Sequence, residues 1–245
     1  MLTFIQHFSS SMGNLYEIKS AEGRLLIECG VSWKKLTLAL DFDLAGIHGC
    51  ILTHFHKDHS HCFEKLVGHS VPVYATQETF DVLPLVARPR MLKPIVPDQQ
   101  FMVGPFEVTP FETHHDAEGS CGFVIEQGND SLLFCTDSTH ISEQFMELNH
   151  GKQVPKRFTH IAIECSWDRE RVDEGLMAGK INQFYADRLT RTHMEVSHTL
   201  LYLQEYCDMS RCREIHLIHL SSTLDKESVR ARFEEEFMLP VFIKE

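Results

Sequence analysis

The segment "LTHFHKDHSHC" (52–62) sets His54, His56, Asp58 and His59 close together, directly after the apolar run "GCIL". Imidazole and carboxylate together suit Zn²⁺, Mn²⁺ or Fe²⁺, ions that turn bound water into a nucleophile at neutral pH. Residues i and i+2 of an extended chain point to the same side. His54 and His56 can therefore present two imidazoles to one point where the strand ends. Asp58 and His59, at or before the start of a helix, diverge from that pair and can serve a second ion. Hydrolytic ion pairs lie about 3.5–4 Å apart. His61 reads as solvent-facing. A lone HxH is a weak signal, whereas HxHxDH straight after a β-run is a restrictive one.

A two-ion site needs more ligands, and later strand ends offer them. "FETHHDAEG" supplies His114 and His115, "LLFCTDST" ends on Asp137, whose carboxylate can bridge two ions, and "IHLIHLSS" ends on His219. Each alone is ordinary edge chemistry. The chain order HxHxDH, His, Asp, His at successive strand ends is what carries the signal.

The elements that must position these residues are short. "LLIEC" (25–29), "GCILTH" (49–54), "VPVYA" (71–75), "FEVTPF" (106–111), "GFVIE" (122–126), "SLLFCTD" (131–137) and "HIAIEC" (160–165) read as strands. "QGND" (127–130) has the composition of a hairpin turn. Helices are expected over "SHCFEKLVG" (60–68), "QETFDVLPL" (77–85) and "SHTLLYLQEYCD" (197–208), the last with Ser197 as N-cap. A strand "EIHLIHL" (214–220), a helix "DKESVRARFEEEF" (225–237) and a closing strand "PVFIKE" follow. The polar stretch 166–192 reads as a long loop. Interleaved and trailing helices imply a layered α/β domain, with residues 1–245 as a single domain.

Composition narrows the function. At 43% hydrophobic, the chain can bury a core, and its net charge of −12 argues against a stable nucleic-acid partner, which would call for a basic stripe. A small anionic substrate held through metal ions remains open. Eight scattered cysteines without a CxxC pair read as small buried hydrophobes in a reducing compartment. No signal peptide or membrane-spanning run is apparent, so the expectation is a cytoplasmic protein, of a bacterium or of its host if phage-encoded.

The order of these motifs resembles the metallo-β-lactamase fold, a four-layer αββα sandwich with a dinuclear site along one rim. "SSSMGN" (9–14), "LLIECG" (25–30), "ILTHFHKDHSH" (51–61), "HDAEGSCGF" (115–123), "TDST" (136–139), "IECSWD" (163–168) and "HLSS" (219–222) are similar to the YycJ/WalJ-type branch, related to tRNase Z-like phosphodiesterases. "THMEVSHTLLYLQEYCDMSRCREIHLIHLSS" resembles the phage-encoded cyclic-nucleotide phosphodiesterases that defeat the Pycsar defence system. The resemblance implies that His54, His56 and His115 hold one ion. Asp58, His59 and His219 hold the other, Asp137 bridges, and the ions are zinc or manganese. His115 is preferred to His114 because the family's histidine precedes Asp-Ala; His216, mid-strand and without a following "LS", is the alternative to His219. His193 matches the histidine that helps the leaving oxygen depart. Glu28 stands where relatives have Asp, as an outer carboxylate behind the ligands, and Asn14 faces the substrate.

The reaction so implied is hydrolysis of a phosphodiester, with Asp58 also orienting the attacking hydroxide and His193 as general acid or oxyanion donor. The acidic surface favours a small nucleotide substrate, above all a cyclic mononucleotide. A YycJ-type 5′-to-3′ DNA exonuclease is the alternative, and a metal-binding regulatory protein without catalysis a second. "ECSWD" for the family's "ESNHD" and "HLSSTLDK" for a phage-type "HLSDGNSD" are departures near the substrate. Relatives are homodimers, so stretch 166–192, with Phe184 and Tyr185, is expected to pack on a second subunit; a lid within one chain is the other reading.

Overall fold

Short runs that alternate or bury on both faces become strands, and the intervening amphipathic pieces become helices. The structure, a computed structural model, describes residues 1–244. It divides them into two compact units: chiefly Met1–Glu112 with Ala117–Asp130, and Thr113–Asp116 with Ser131–Ile243.

In the first unit, strands β1 (Thr3–Phe8), β2 (Leu15–Ser20), β3 (Gly23–Ile27), β4 (Ile47–Ile51), β5 (Val73–Thr76) and β6 (Leu92–Ile95) form one sheet in chain order. Its first three strands are antiparallel and β3 to β6 are parallel. Helices α1 (Trp33–Ala39), α2 (Lys57–Ser60), α3 (Phe63–Gly68) and α4 (Gln77–Val82) lie in the connections. Leu26, Leu36, Leu52, Phe63, Leu66 and Val73 are buried together beneath them. Strands β7 (Phe101–Val103), β8 (Phe106–Glu112) and β9 (Cys121–Gln127) pair antiparallel. They join the first sheet through stacked Tyr74 and Phe101 rings, 5.3 Å apart, and through the Cys121 amide, which donates to the Thr53 carbonyl at 3.0 Å.

In the second unit, β10 (Asp130–Cys135), β13 (His160–Glu164), β14 (Glu214–Ile218) and β15 (Val241–Ile243) run parallel, in the order β15-β14-β13-β10. Strands β11 (Met146–Asn149) and β12 (Lys152–Pro155) make a separate hairpin. Helices α5 (Arg169–Met177), α6 (Gln183–Thr192), α7 (Val196–Tyr206) and α8 (Lys226–Phe237) complete it. All eight cysteines are free and buried. No helix among the described residues is long and apolar enough to cross a membrane.

The seven strands expected up to residue 165 are present as β3, β4, β5, β8, β9, β10 and β13. Four expectations change. Stretch 166–192 is no loop but holds α5 and α6, packed by Trp167, Val172, Ala186 and Leu189. Helix α7 starts at Val196, so Glu195 takes the cap position, without a side-chain bond, in place of Ser197. Helix α4 stops at Val82 because Leu83 precedes Pro84 and is held extended. The helix expected over 60–68 starts only at Phe63, as α3, and the short α2 precedes it. Of the closing strand, Glu245 lies outside the described residues.

Strand β2 contains the unit's most polar core position. Glu17 is fully buried, accepts from Arg24 Nε at 2.5 Å, lies 2.8 Å from His7 Nε2, and has Lys19 at 3.4 Å. Burial alone would push its carboxyl up; His7, Arg24 and Lys19 outweigh that and hold it below the ordinary range. With a depressed folded pKa, its stabilisation is complete above the unfolded value near 4.3 and is lost as pH falls through the folded one. Glu17→Gln should cost roughly 3 kcal/mol at pH 7, with the gap to wild type narrowing below about pH 4. Urea unfolding at the two pH values tests this.

Candidate functional site

In the first unit, β4 runs out through buried Leu52 and Thr53, and the chain reaches α2 across the histidine cluster. His54 Nε2 lies 3.0 Å from His56 Nδ1, with the rings edge to face. His59 does not diverge from that pair: its ring sits 4.2 Å from that of His54. Asp58 Oδ2 is 3.3 Å from His59 Nε2 and its side chain is 26% exposed, so this carboxylate reaches partly into solvent.

A buried carboxyl group organises the histidines. Glu28, fully buried, follows β3 with φ 64° and accepts from the Thr53 amide at 3.2 Å and the Thr53 hydroxyl at 2.5 Å. Because Thr53 gives its hydroxyl proton to Glu28, its oxygen accepts from His54 Nδ1 at 2.8 Å. That hydrogen-bond network assigns the tautomer and leaves the lone pair on His54 Nε2. His59 Nδ1 lies 3.3 Å from Glu28, and its Nε2 lies 3.3 Å from Asp58. Burial sets the Glu28 carboxyl above its ordinary range, against the pull of His59 and Thr53.

Asn14 is fully buried, and its carboxamide is engaged at both ends. Its oxygen accepts from the Ser10 amide and the Tyr16 hydroxyl, each at 3.1 Å, while its nitrogen donates to the Asp58 carbonyl at 3.1 Å and lies 3.2 Å from His59 Nε2. The geometry makes it a strut for the Asp58–His59 turn. Gly30 is the other fixed point: a Cβ there would lie 1.6 Å from the Asp58 carbonyl oxygen.

In the second unit, Asp137 follows β10 with φ 49° and is 3% exposed. Its two oxygens face different histidines, Oδ1 towards His219 Nε2 at 3.4 Å and Oδ2 towards His115 Nε2 at 3.6 Å. His115 Nδ1 donates to the Thr192 carbonyl at 3.0 Å, and its Nε2 lies 3.0 Å from Asp116 Oδ1. His219, the residue after β14, also has positive φ, 54°. His114 points elsewhere, stacked on His140 and 2.7 Å from Ser142 Oγ, and His216 pairs with Glu214 at 3.0 Å; neither belongs to this cluster.

The sequence reading missed two residues here. Glu164 is fully buried at the end of β13; it accepts from the Ser138 amide at 2.7 Å and from His193 Nδ1 at 2.6 Å, and it lies 3.5 Å from His219 Nδ1. Burial would raise its carboxyl, but the charge and hydrogen bond of His193, with His219 behind, bring it below the ordinary range. The available signal was a carboxylate ending the otherwise apolar "HIAIE". Thr53, the hydroxyl behind His54, carried no signal of its own. His193 caps the end of α6 and stacks on His219 at 5.0 Å.

These donors fit a divalent ion. Asp137, Glu164, His193 and His219 each offer an atom within 4.8 Å of the others. The set is imidazole and carboxylate and is largely buried. A carboxylate split between two histidines is also the form a bridging ligand takes.

Over residues 23–219 the chain matches the beta-lactamase superfamily domain, and it belongs to that superfamily. In sequence it is similar to the exodeoxyribonuclease YycJ of Bacillus anthracis, 27% identical over 179 residues, which cover 68% of this chain and 64% of that protein. The chain thus spans less than two thirds of that relative's length. In fold it is similar to the metallo-beta-lactamase fold protein YhfI from Bacillus subtilis, with TM-score 0.73 and 19% identity over 100% of this chain and 97% of that one. It is also similar to Zn²⁺-bound PqqB from Methylobacterium extorquens, with TM-score 0.68 and 15% identity over 100% and 98% of the two chains. The metallo-β-lactamase fold expected from the motifs is the fold the chain has.

Gly30→Ala should force the Asp58–His59 turn out of place, at a cost of about 1–3 kcal/mol. Denaturant unfolding checks the stability, and displaced His59 ring resonances check the local shift.

Proposed function

We propose that this chain is a metal-dependent phosphodiesterase acting on a small phosphodiester, foremost a cyclic mononucleotide. The observation that carries the reading is Asp137, whose two oxygens address His219 and His115 separately. On the family's ligand order, His54, His56 and His115 would hold one ion, Asp58, His59 and His219 would hold the other, and Asp137 would be shared. Two zinc or manganese ions bound so would supply hydroxide at neutral pH and neutralise phosphoryl oxygens; zinc has a precedent in the PqqB structure.

The protein's own groups do the rest. Asp58, a partly exposed carboxylate, orients the attacking water. His193, with Nδ1–H committed to Glu164 at 2.6 Å, keeps Nε2 to hold or deliver a proton at the leaving oxygen. Glu164 stabilises the charged form of that imidazole, and Glu28 and Thr53 keep His54 in its ligating tautomer. Asn14 acts through the Asp58–His59 turn.

The net charge of −12 favours a small diester over a long polyanion. A second reading, a 5′-to-3′ DNA exonuclease, is favoured by the similarity to YycJ. One panel decides between them: 3′,5′- and 2′,3′-cyclic mononucleotides beside short labelled DNA and RNA strands, with the Mn²⁺- or Zn²⁺-loaded protein. Turnover of the cyclic nucleotides alone is the expected result; stepwise shortening of DNA gives the second reading; turnover of neither rejects both.

Asp58→Ala should lower turnover at least 100-fold while circular dichroism stays that of wild type; unchanged turnover removes Asp58 from the mechanism. Asp137→Asn should cut the metal content measured by plasma emission by half or more, and a full complement would reject the bridging role.

A further inference from the structure

Helix α6 has two working faces. Ala186 and Leu189 pack against Trp167 and Val172. Phe184, Asp187, Arg188 and Arg191 follow the i, i+3, i+4, i+7 spacing of one stripe and line a groove of about 980 Å³ within the second unit, the size of a small-molecule site. Across from the stripe the groove is lined by His114, His115 and His140.

Nothing in the fold accounts for this lining. Phe184 is 80% exposed although aromatic. The Arg188 and Arg191 side chains make no ion pair among the described residues, in a chain of net charge −12. The groove's carboxylates are Asp116 and Asp187, the latter accepting from Gln183 at 2.7 Å. His114 and His140 stack face to face, 4.0 Å apart and 7° from parallel, pinned by Ser142 at 2.7 Å and Thr139 at 3.0 Å.

The groove also has a direction. One end is His115, held through Nδ1 by the carbonyl of Thr192, the last residue of α6. Phe184 lies eight residues back along the helix, about 12 Å at 1.5 Å per residue. That is the reach of one nucleoside monophosphate from phosphate to base.

We propose that this groove is the nucleotide subsite of the enzyme. A phosphate at the His115 end is met by Arg191, Arg188 reaches the phosphate or sugar, and the base stacks on Phe184 or on the His114–His140 pair. The assignment rests on the phosphodiesterase reading for its direction, and it adds what that reading lacks, the residues that separate a nucleotide from any other diester. Aromatic stacking is sequence-tolerant, so the subsite accepts all four bases and selects for the presence of a base.

The test uses the as-purified full chain and two readouts. Calorimetry measures binding of AMP, CMP, GMP and UMP, with inorganic phosphate as the base-less probe. Phe184→Ala should weaken all four nucleotides about tenfold and leave phosphate unchanged, Phe184→Trp should restore them, and Arg191→Ala should weaken nucleotides and phosphate alike. In turnover, the ratio of kcat/KM for a cyclic mononucleotide to that for bis(p-nitrophenyl) phosphate should fall about tenfold in Phe184→Ala, through KM. Equal losses on both substrates, or unchanged nucleotide binding in Phe184→Ala, overturn the subsite. So does a Phe184→Ala protein whose change is in molar mass by light scattering and not in affinity, since Phe184 then belongs to an interface. If bis(p-nitrophenyl) phosphate is not hydrolysed while AMP binding still depends on Phe184, the phosphodiesterase reading fails and the nucleotide site stands.

Discussion

A carboxylate withdrawn from water costs several kcal/mol unless donors surround it, and this protein accepts that cost twice for the same return. Glu28 in the first unit and Glu164 in the second are fully buried just at or after a strand's end. Each directs histidines: Glu28 through Thr53 to His54 and directly to His59, Glu164 directly to His193 and His219. For His54 and His193 the effect is a fixed tautomer. Without these anchors, the HxHxDH turn would be a surface loop rich in histidine, with no preferred nitrogen to offer a cation.

The two anchors differ electrostatically, and the difference follows from their donors. Burial outweighs the pull of His59, 3.3 Å away, and of Thr53, so the Glu28 carboxyl is raised. Glu164 has a 2.6 Å bond to His193, whose charge outweighs burial and lowers it. The first suits an outer support that need not carry charge. The second suits a carboxylate that stays charged beside His193.

How much of this could be read from the residues depended on whether polarity broke a pattern or completed one. The apolar runs around His54, Asp137 and His219 announced strands, and their polar ends announced candidate ligands. Strand β2, "LYEIKS", went unread because Glu17 sits in its core with a polar residue to follow, and only the partners His7 and Arg24 make that position habitable. Glu164 was written as part of a strand and not as chemistry, because a single carboxylate beside Cys165 has no periodic signature. Stretch 166–192 read as a loop since its helices are short and only Val172, Ala186 and Leu189 anchor them. Asn14 was placed facing substrate on resemblance, whereas its amide is spent on holding a turn, which spacing does not reveal.

Glu28, Asp137 and His219 share left-handed backbone, with φ of 64°, 49° and 54°. For a residue with a Cβ this conformation costs on the order of 1 kcal/mol. Three such positions mean that the polypeptide holds its chemistry in a geometry its own backbone resists, and that glycine or asparagine would relieve. Selection for robustness alone would therefore erode these three positions first. A descendant of this chain that gained heat resistance through them would keep its sheets and lose a buried carboxyl anchor and two members of its histidine–carboxylate cluster.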